Sequence, residues 1–479
     1  MSPVLWLLLE LIFAIPLVYF LRRRVWGGLL AAVVAFWAAN AMSQLSPGPV
    51  TEFLGRALNL NQFSQAVLTL LFLNSALLFL ISAMTPSFIE EKSKRILLGK
   101  LTPKAHGGVQ GEEGRTFYPV TLAVLALCVV AVLFRHLGII AMIMQAAAIL
   151  TVFIIQGGRL VSVRAALRFL LLISLATPMF LLAAWQIDAY QSKQILLVSA
   201  ADWQRIMGLI GLGFTIWLAV VPFHSWLTTI ATDCYPPSAT FVLLTFPMVA
   251  LAVLVNLLAD FPYPLDPTQL TPIILLAGIF TAVVGGSLAS IQRGFSQLMG
   301  YAALYDLGSL VVILAVGHSP NLILVSFIGR ALALILLAAS TSAMRSRHAH
   351  DGFAELRGIA PKMPIASLGL LLGGLTLAGA PLTAGFISHW AGWVAVTVVD
   401  TRATVLLMGA ALGVIIGYLR GGYALMNYEP STVTIEFQEP KWLLLIITIL
   451  GLMSLLLALY PAWLIEATRP WSAGIFWPL

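Results

Sequence analysis

The chain has 479 residues, of which 60% are hydrophobic and 9% charged, with a mean hydropathy of +0.98. That balance excludes a soluble globular domain and makes this a polytopic membrane protein. The formal net charge of +7 invites a nucleic-acid or anionic-substrate reading, but the cations are spread between apolar runs; neither nucleic acid nor nucleotide is expected as a partner, and the lipid bilayer is. A bilayer core takes about 20 apolar residues per helix. In chain order, roughly fourteen segments meet that requirement: 4–21, 25–43, 64–84, 117–134, 137–156, 166–187, 205–228, 237–258, 271–290, 299–317, 321–341, 364–386, 388–426 and 441–466. The segment starting at 388 is too long for one straight crossing, so a break is expected near 398–402.

The first run, "WLLLELIFAIPLVYFLRRR", is followed by arginines and has no small-residue cleavage site, which predicts a retained helix rather than a cleaved signal. If it runs outward to inward, loops after odd-numbered spans hold about 19 of the Lys and Arg residues and the opposite loops about 6. This bias places Arg22–Arg24, Lys92, Lys94, Arg95, Arg345, Arg347, Arg357 and Lys362 in the cytoplasm. Both termini then lie on the non-cytoplasmic side of a bacterial plasma membrane or an internal energy-transducing membrane. The longest polar stretch, "TPSFIEEKSKRILLGKLTPKAHGGVQGEEGRTF", reads as one cytoplasmic loop of mixed charge. Cys128 and Cys234 lie in or beside spans, suggesting packing residues and neither a disulfide framework nor a metal site.

Two stretches have the composition of interrupted helices: "VPFHSWLTTIATDCYPPSA" near 221–239, with Pro222, Pro236 and Pro237, and "GLTLAGAPLTAGFISHWAG" near 374–392, with Pro381 and Gly385. Pro and small residues inside apolar surroundings free backbone groups that neighbouring protein must satisfy. Breaks at comparable points of two halves point to an ion pathway at mid-membrane depth; ordinary proline kinks are the alternative on spacing alone.

"GLGFTIWLAVVPFHSWL" (211–227) followed by "YPPSATF" resembles the signature of the antiporter-like membrane subunits of respiratory complex I, Mrp antiporters and membrane-bound hydrogenases. "FRHLGIIAMIMQ" (134–145), "SIQRGFSQLMGYAALYDLG" (290–308), "SFIGRALALILLAAS" (326–340) and "LRGIAPKMPIASLGLLLGGLTLAGAPLTAGFISHW" (356–390) are similar to four further blocks in the family's order. The resemblance implies an all-α fold of about fourteen transmembrane helices with two inverted five-helix repeats, each with a broken helix. It divides the chain into about three N-terminal helices and a loop at 1–116, the antiporter-like core at 117–426 and a C-terminal helix at 427–479. The ending after the last span resembles the shorter family type, adjacent to small membrane subunits and without an appended lateral helix.

The resemblance also implies proton translocation along buried ionisable residues, whose pKa values desolvation and neighbouring charges can bring into range. This chain departs from that pattern. The family's acid falls on Gln145, one lysine on Trp217, a lysine or histidine on Val242 and a further lysine on Ser296. A shifted alignment does not restore them: no Lys lies between Lys193 and Lys362, and no acidic residue between Phe117 and Ile187. Gln, Trp and Ser hydrogen-bond but do not exchange a proton near neutral pH. The ionisable candidates that remain are His389, at a position the family usually fills with Lys or Glu, a proton relay or a neutral histidine bonded to a carbonyl; His224, a carrier or a cap for the broken helix; and Asp306 with Arg330. An arginine does not deprotonate in a protein, so a fixed buried ion pair of Arg330 with Asp306 or another acid is expected rather than a shuttle. Glu10 in the first span is bundle-facing or interfacial.

No Cys cluster, haem-attachment motif or nucleotide-binding glycine turn is present, so no cofactor, metal or redox site is expected in this chain. The expected function is that of a membrane-arm subunit of a complex I-like NADH:quinone oxidoreductase, contacting other antiporter-like and small membrane subunits. The missing charges favour a structural paralogue that has lost most proton-translocating residues; an active proton- or cation-translocating subunit is the alternative.

Overall fold

The computed structural model describes residues 3–21, 25–53, 56–85, 116–157, 162–192, 199–260, 267–316, 319–345, 351–427 and 441–472. The Arg22–Arg24 cluster, the charged loop with Lys92, Lys94 and Arg95, and Arg347 lie outside the described residues.

Three helices open the chain: α1 (Pro3–Leu21), α2 (Val25–Ser43) and α3 (Gln62–Met84), with a short hairpin of β1 (Gly48–Phe53) and β2 (Arg56–Leu60) between the last two. The hairpin was not foreseen in the sequence. It is tied to the next helical corner, where Arg135 donates to the Asn59 carbonyl at 3.4 Å and pairs with Asp260 at 3.3 Å. Then follow α4 (Phe117–Leu133), α5 (Leu137–Gln156), α6 (Ser162–Ser192), α7 (Ala200–Trp217), α8 (Ser225–Asp233), α9 (Pro236–Ala259), α10 (Pro267–Ile291), α11 (Phe295–Val316) and α12 (Pro320–Arg345). The chain continues through α13 (Pro364–Leu377), α14 (Phe386–Val399), α15 (Thr401–Met426), α16 (Lys441–Leu459) and α17 (Pro461–Thr468).

Eleven of these helices are long and apolar enough to cross a membrane, and α4 is apolar but shorter. With α4 included, and α7–α8 and α13–α14 each taken as one interrupted crossing, the described residues furnish the roughly fourteen crossings expected from length. The break expected near 398–402 falls at Asp400, between α14 and α15, where the Asp400 side chain caps the Arg402 amide at 2.8 Å. α9, α11 and α12 are buried along nearly their whole length and form the centre of the bundle, whereas α1, α6, α10 and α16 keep broad apolar faces exposed.

Both interruptions terminate a helix in the same way. At the end of α7, the Val220 amide bonds the Thr215 carbonyl at 2.8 Å and the Ala219 amide bonds Ile216 at 3.2 Å; Ala219 is left-handed, with φ 53°. At the end of α13, Ala380 bonds Leu375 at 3.0 Å and Gly379 bonds Thr376 at 3.1 Å, with Gly379 at φ 68°. These are two Schellman motifs, which satisfy terminal carbonyls and turn the chain out of the helix. The groups still free are met from neighbours: Val221 N–H donates to Thr281 Oγ1 of α10 at 3.2 Å, and Ala384 N–H to Ser454 Oγ of α16 at 3.2 Å. Pro222 and Pro381 lie inside the interruptions, and Gly385 occupies the cap position of α14. Pro236 and Pro237 sit beyond the first interruption and start α9, where a missing amide costs nothing.

Left-handed glycine is required at Gly379 for a second reason, since a Cβ there would meet the His389 ring at 2.5 Å. Gly379→Ala should therefore lose about 1–3 kcal/mol of stability. Ala219→Gly, which relieves left-handed strain while loosening the unfolded chain, should change it by less than about 1 kcal/mol. Denaturant unfolding in mild detergent measures both; equal effects would contradict this assignment.

Candidate ion-pathway site

The second interruption and the central helices bring three of the ionisable candidates together. Arg330 of α12 is fully buried, and a guanidinium there needs its charge and its donors matched. It pairs with Asp306 of α11 and donates to the carbonyls of Ala303 and Leu243, each at 3.2 Å. One side chain thus ties α9, α11 and α12 together. Leu243 is next to Val242 in α9.

His389, in the first turn of α14, reaches the same carboxylate: its Nε2 lies 3.7 Å from the second oxygen of Asp306. Its Nδ1 is 2.9 Å from the Gly385 carbonyl, which can only accept, so Nδ1 carries the hydrogen and Nε2 is the atom free to take a further proton. The ring stacks on Tyr305 at 5.5 Å between centroids and meets Trp393 edge-on at 6.3 Å. His389 Nε2, Tyr305 Oη, Ser309 Oγ and Trp393 Nε1 are all buried; Tyr305 Oη lies near Ser309 and Trp393, but none of the four makes a hydrogen bond of standard geometry among the described residues. Several polar atoms thus converge in one buried place beside the Asp306–Arg330 pair.

The first half is different. Gln145 of α5 donates to Ser174 Oγ at 2.7 Å and accepts from Thr177 at 2.9 Å, both on α6, so its amide is spent on joining two helices. Trp217 ends α7 at 1% exposure, its ring tilted against Phe180 at 4.3 Å and edge-on to Phe214 at 5.8 Å between centroids, with Nε1 buried and without a hydrogen-bond partner among the described residues. Gly213 permits that packing, because a Cβ there would strike the Phe180 ring at 2.5 Å. Val242 is wholly buried among apolar neighbours in α9. Ser296 stands in the first turn of α11, where its amide donates to Asp351 at 3.0 Å and its hydroxyl also meets Asp351 while accepting from Arg345 at 2.9 Å. It belongs to an ion-paired helix end, ten residues before Asp306 on the same helix, and shares no hydrogen-bond partner with the Asp306 cluster.

His224 occupies the cap position of α8, but its ring makes no capping bond and Nδ1 is buried without a partner. The residue that does bridge this interruption is Trp226, whose indole donates to the Ile216 carbonyl at 3.2 Å. Sequence reasoning missed it although it stands two positions from His224. It missed Tyr305, Ser309 and Trp393 as well, which ordinary core or interfacial packing would explain equally at the level of sequence.

A family model described as NADH:quinone oxidoreductase/Mrp antiporter, transmembrane, matches residues 137–416, more than half of the chain and all the positions discussed above from Gln145 to His389. The chain belongs to this family. NADH-quinone oxidoreductase subunit N of Chromohalobacter salexigens is 29% identical over 282 residues, covering 56% of this chain and 57% of that protein. The chain spans about half the length of the curated relatives it matches. Among solved structures, a chain of the membrane-bound sulfane sulfur reductase, an archaeal respiratory membrane complex, superposes with a TM-score of 0.82 at 15% identity, covering 98% of this chain and 97% of its own. A chain of respiratory complex I from Thermus thermophilus gives 0.74 at 20% identity, covering 97% and 99%. At those identities the superpositions establish the antiporter-like fold of this family member and its class, an all-α integral membrane protein.

Asp306→Asn would leave Arg330 buried without a counter-charge, and a loss of about 3–5 kcal/mol is expected. Asp306→Leu combined with Arg330→Met should cost less than either single change, because no lone charge remains. Folded yield and unfolding midpoint in detergent measure this; additive losses would contradict the assignment of a fixed pair.

Proposed function

We propose that this chain is a membrane-arm subunit of a complex I-like quinone oxidoreductase, a structural paralogue whose first-half proton route is closed. The observation that carries the reading is the state of the replaced positions. Gln145 and Trp217 are neutral and occupied, one by hydrogen bonds to α6 and the other by aromatic packing. A translocating group must change charge in response to its neighbours, and none of the side chains at these positions does so near pH 7. The partners implied are other antiporter-like and small membrane subunits; electron transfer belongs to them. The matching Schellman terminations support the division into two repeats, and the positions of Arg345, Arg357 and Lys362 support a cytoplasmic placement of the ends of α12 and α15.

A second reading, retained translocation through the second half, is favoured by one observation: His389 Nε2 is unpartnered and faces Asp306. A proton arriving at Nε2 would be held by that carboxylate.

In the intact complex with normal subunit content, Trp217→Phe and Gln145→Leu should leave the proton-to-electron ratio unchanged, measured as proton uptake by proteoliposomes during quinone reduction. Loss of pumping in proportion to either change would overturn the structural reading. A defect confined to His389→Ala would move the assignment to the second reading. Recovery of the protein as a stable monomer or homodimer that transports ions alone would exclude a subunit role.

A further inference from the structure

The first helix carries a surface that neither the bundle nor the lipid explains. Val4, Leu7, Leu11 and Val18 face inward and are buried. On another side Trp6, Glu10, Phe13, Leu17 and Phe20 recur at alternating intervals of four and three residues, and all five are exposed. That spacing forms the seam by which one helix packs against another. The exposed side of α16 repeats the spacing with Trp442, Leu445, Ile449, Leu452 and Leu456, an entirely apolar face that acyl chains can solvate. The stripe on α1 differs because it contains a carboxylate. Glu10 is the eighth residue of a 19-residue helix, about 10 Å along it at 1.5 Å per residue, and so lies well inside the hydrocarbon core. A carboxyl group facing hydrocarbon at that depth is costly, and such groups in membrane helices meet a partner.

We infer that the Trp6–Glu10–Phe13–Leu17–Phe20 stripe of α1 is the docking surface for a transmembrane helix of a neighbouring subunit. That helix presents a hydrogen-bond-donating side chain, cationic, amide or hydroxyl, at the depth of Glu10. The inference rests on the reading of the chain as a subunit of a membrane complex. The flanking aromatic rings exclude lipid from around the carboxylate, which strengthens its bond to the donor. Among the described residues the Glu10 carboxylate has no partner within the chain, so the donor comes from outside it.

The test uses the full chain in its native membrane, with a photoreactive benzoylphenylalanine in place of Phe13 and, as a control, of Leu452. Illumination should join position 13 to one membrane polypeptide. Peptide mapping should put the adduct on a transmembrane helix with a donor side chain at matching depth, while position 452 yields lipid adducts only. Adding Glu10→Leu should lower the position-13 adduct by about five- to thirtyfold, the range spanned by polar interhelical contacts in membranes, and Glu10→Gln should restore most of it. Lipid adducts alone at position 13, in a preparation that still contains the other subunits, would overturn the inference and leave the complex reading intact. An adduct unchanged by Glu10→Leu, or one mapped to a helix without a donor, would also overturn it. A chain that purifies without any other subunit would instead remove the reading on which it rests.

Discussion

A permanently charged, fully buried guanidinium organises the centre of this protein. Arg330 of α12 cannot shed its proton, so two neighbouring helices are committed to it: α11 through Asp306 and the Ala303 carbonyl, and α9 through the Leu243 carbonyl. Breaking such a pair costs more than never having made it, because the surviving charge has no solvent. The three helices that supply these groups are also those most completely enclosed by the bundle. The second interrupted helix is then drawn to the same point through His389, whose ring occupies the space that Gly379 leaves by having no Cβ.

The same refusal of unmatched polar groups explains how two helices can be broken inside an apolar bundle. Each break spends its terminal carbonyls on a Schellman turn and borrows a hydroxyl from a neighbouring helix, Thr281 in one case and Ser454 in the other. What differs is the side-chain chemistry gathered around them. The first break is packed by indole and phenyl rings, with Trp226 tying its two halves together, although Trp217 Nε1 and His224 Nδ1 are buried there without a hydrogen-bond partner among the described residues. The second is surrounded by unpartnered hydroxyl, indole and imidazole atoms beside a carboxylate. One backbone device therefore supports a junction packed by aromatic rings in one half and one set beside a buried ion pair in the other.

Much of this was legible in the sequence because bilayer length and proline chemistry are local constraints. Apolar run lengths placed nearly every helix, Pro222 and Pro381 marked both interruptions, and the separation of α14 from α15 followed from a segment too long to cross once. The pairing of Asp306 with Arg330 was readable because two opposite charges in apolar runs have few other solutions. The β1–β2 hairpin was not readable, since its strands are short and carry no strong alternation. Ser296 could be assigned to a sequence position but not to a bonding environment, which depends on Asp351 and Arg345 far along the chain. The polar atoms around His389 were hidden for the same reason: Tyr305, Ser309 and Trp393 look like packing residues until the fold brings them to one place.

The central claim is that the axis of this protein is dry and fixed in its first half and polar in its second. Ordered water in a high-resolution electron cryomicroscopy map of the intact complex tests that most directly. The account predicts water density among His389, Tyr305, Ser309 and Trp393, and none linking Gln145 to Trp217. A continuous file of water running past Trp217 toward Arg330 would contradict it.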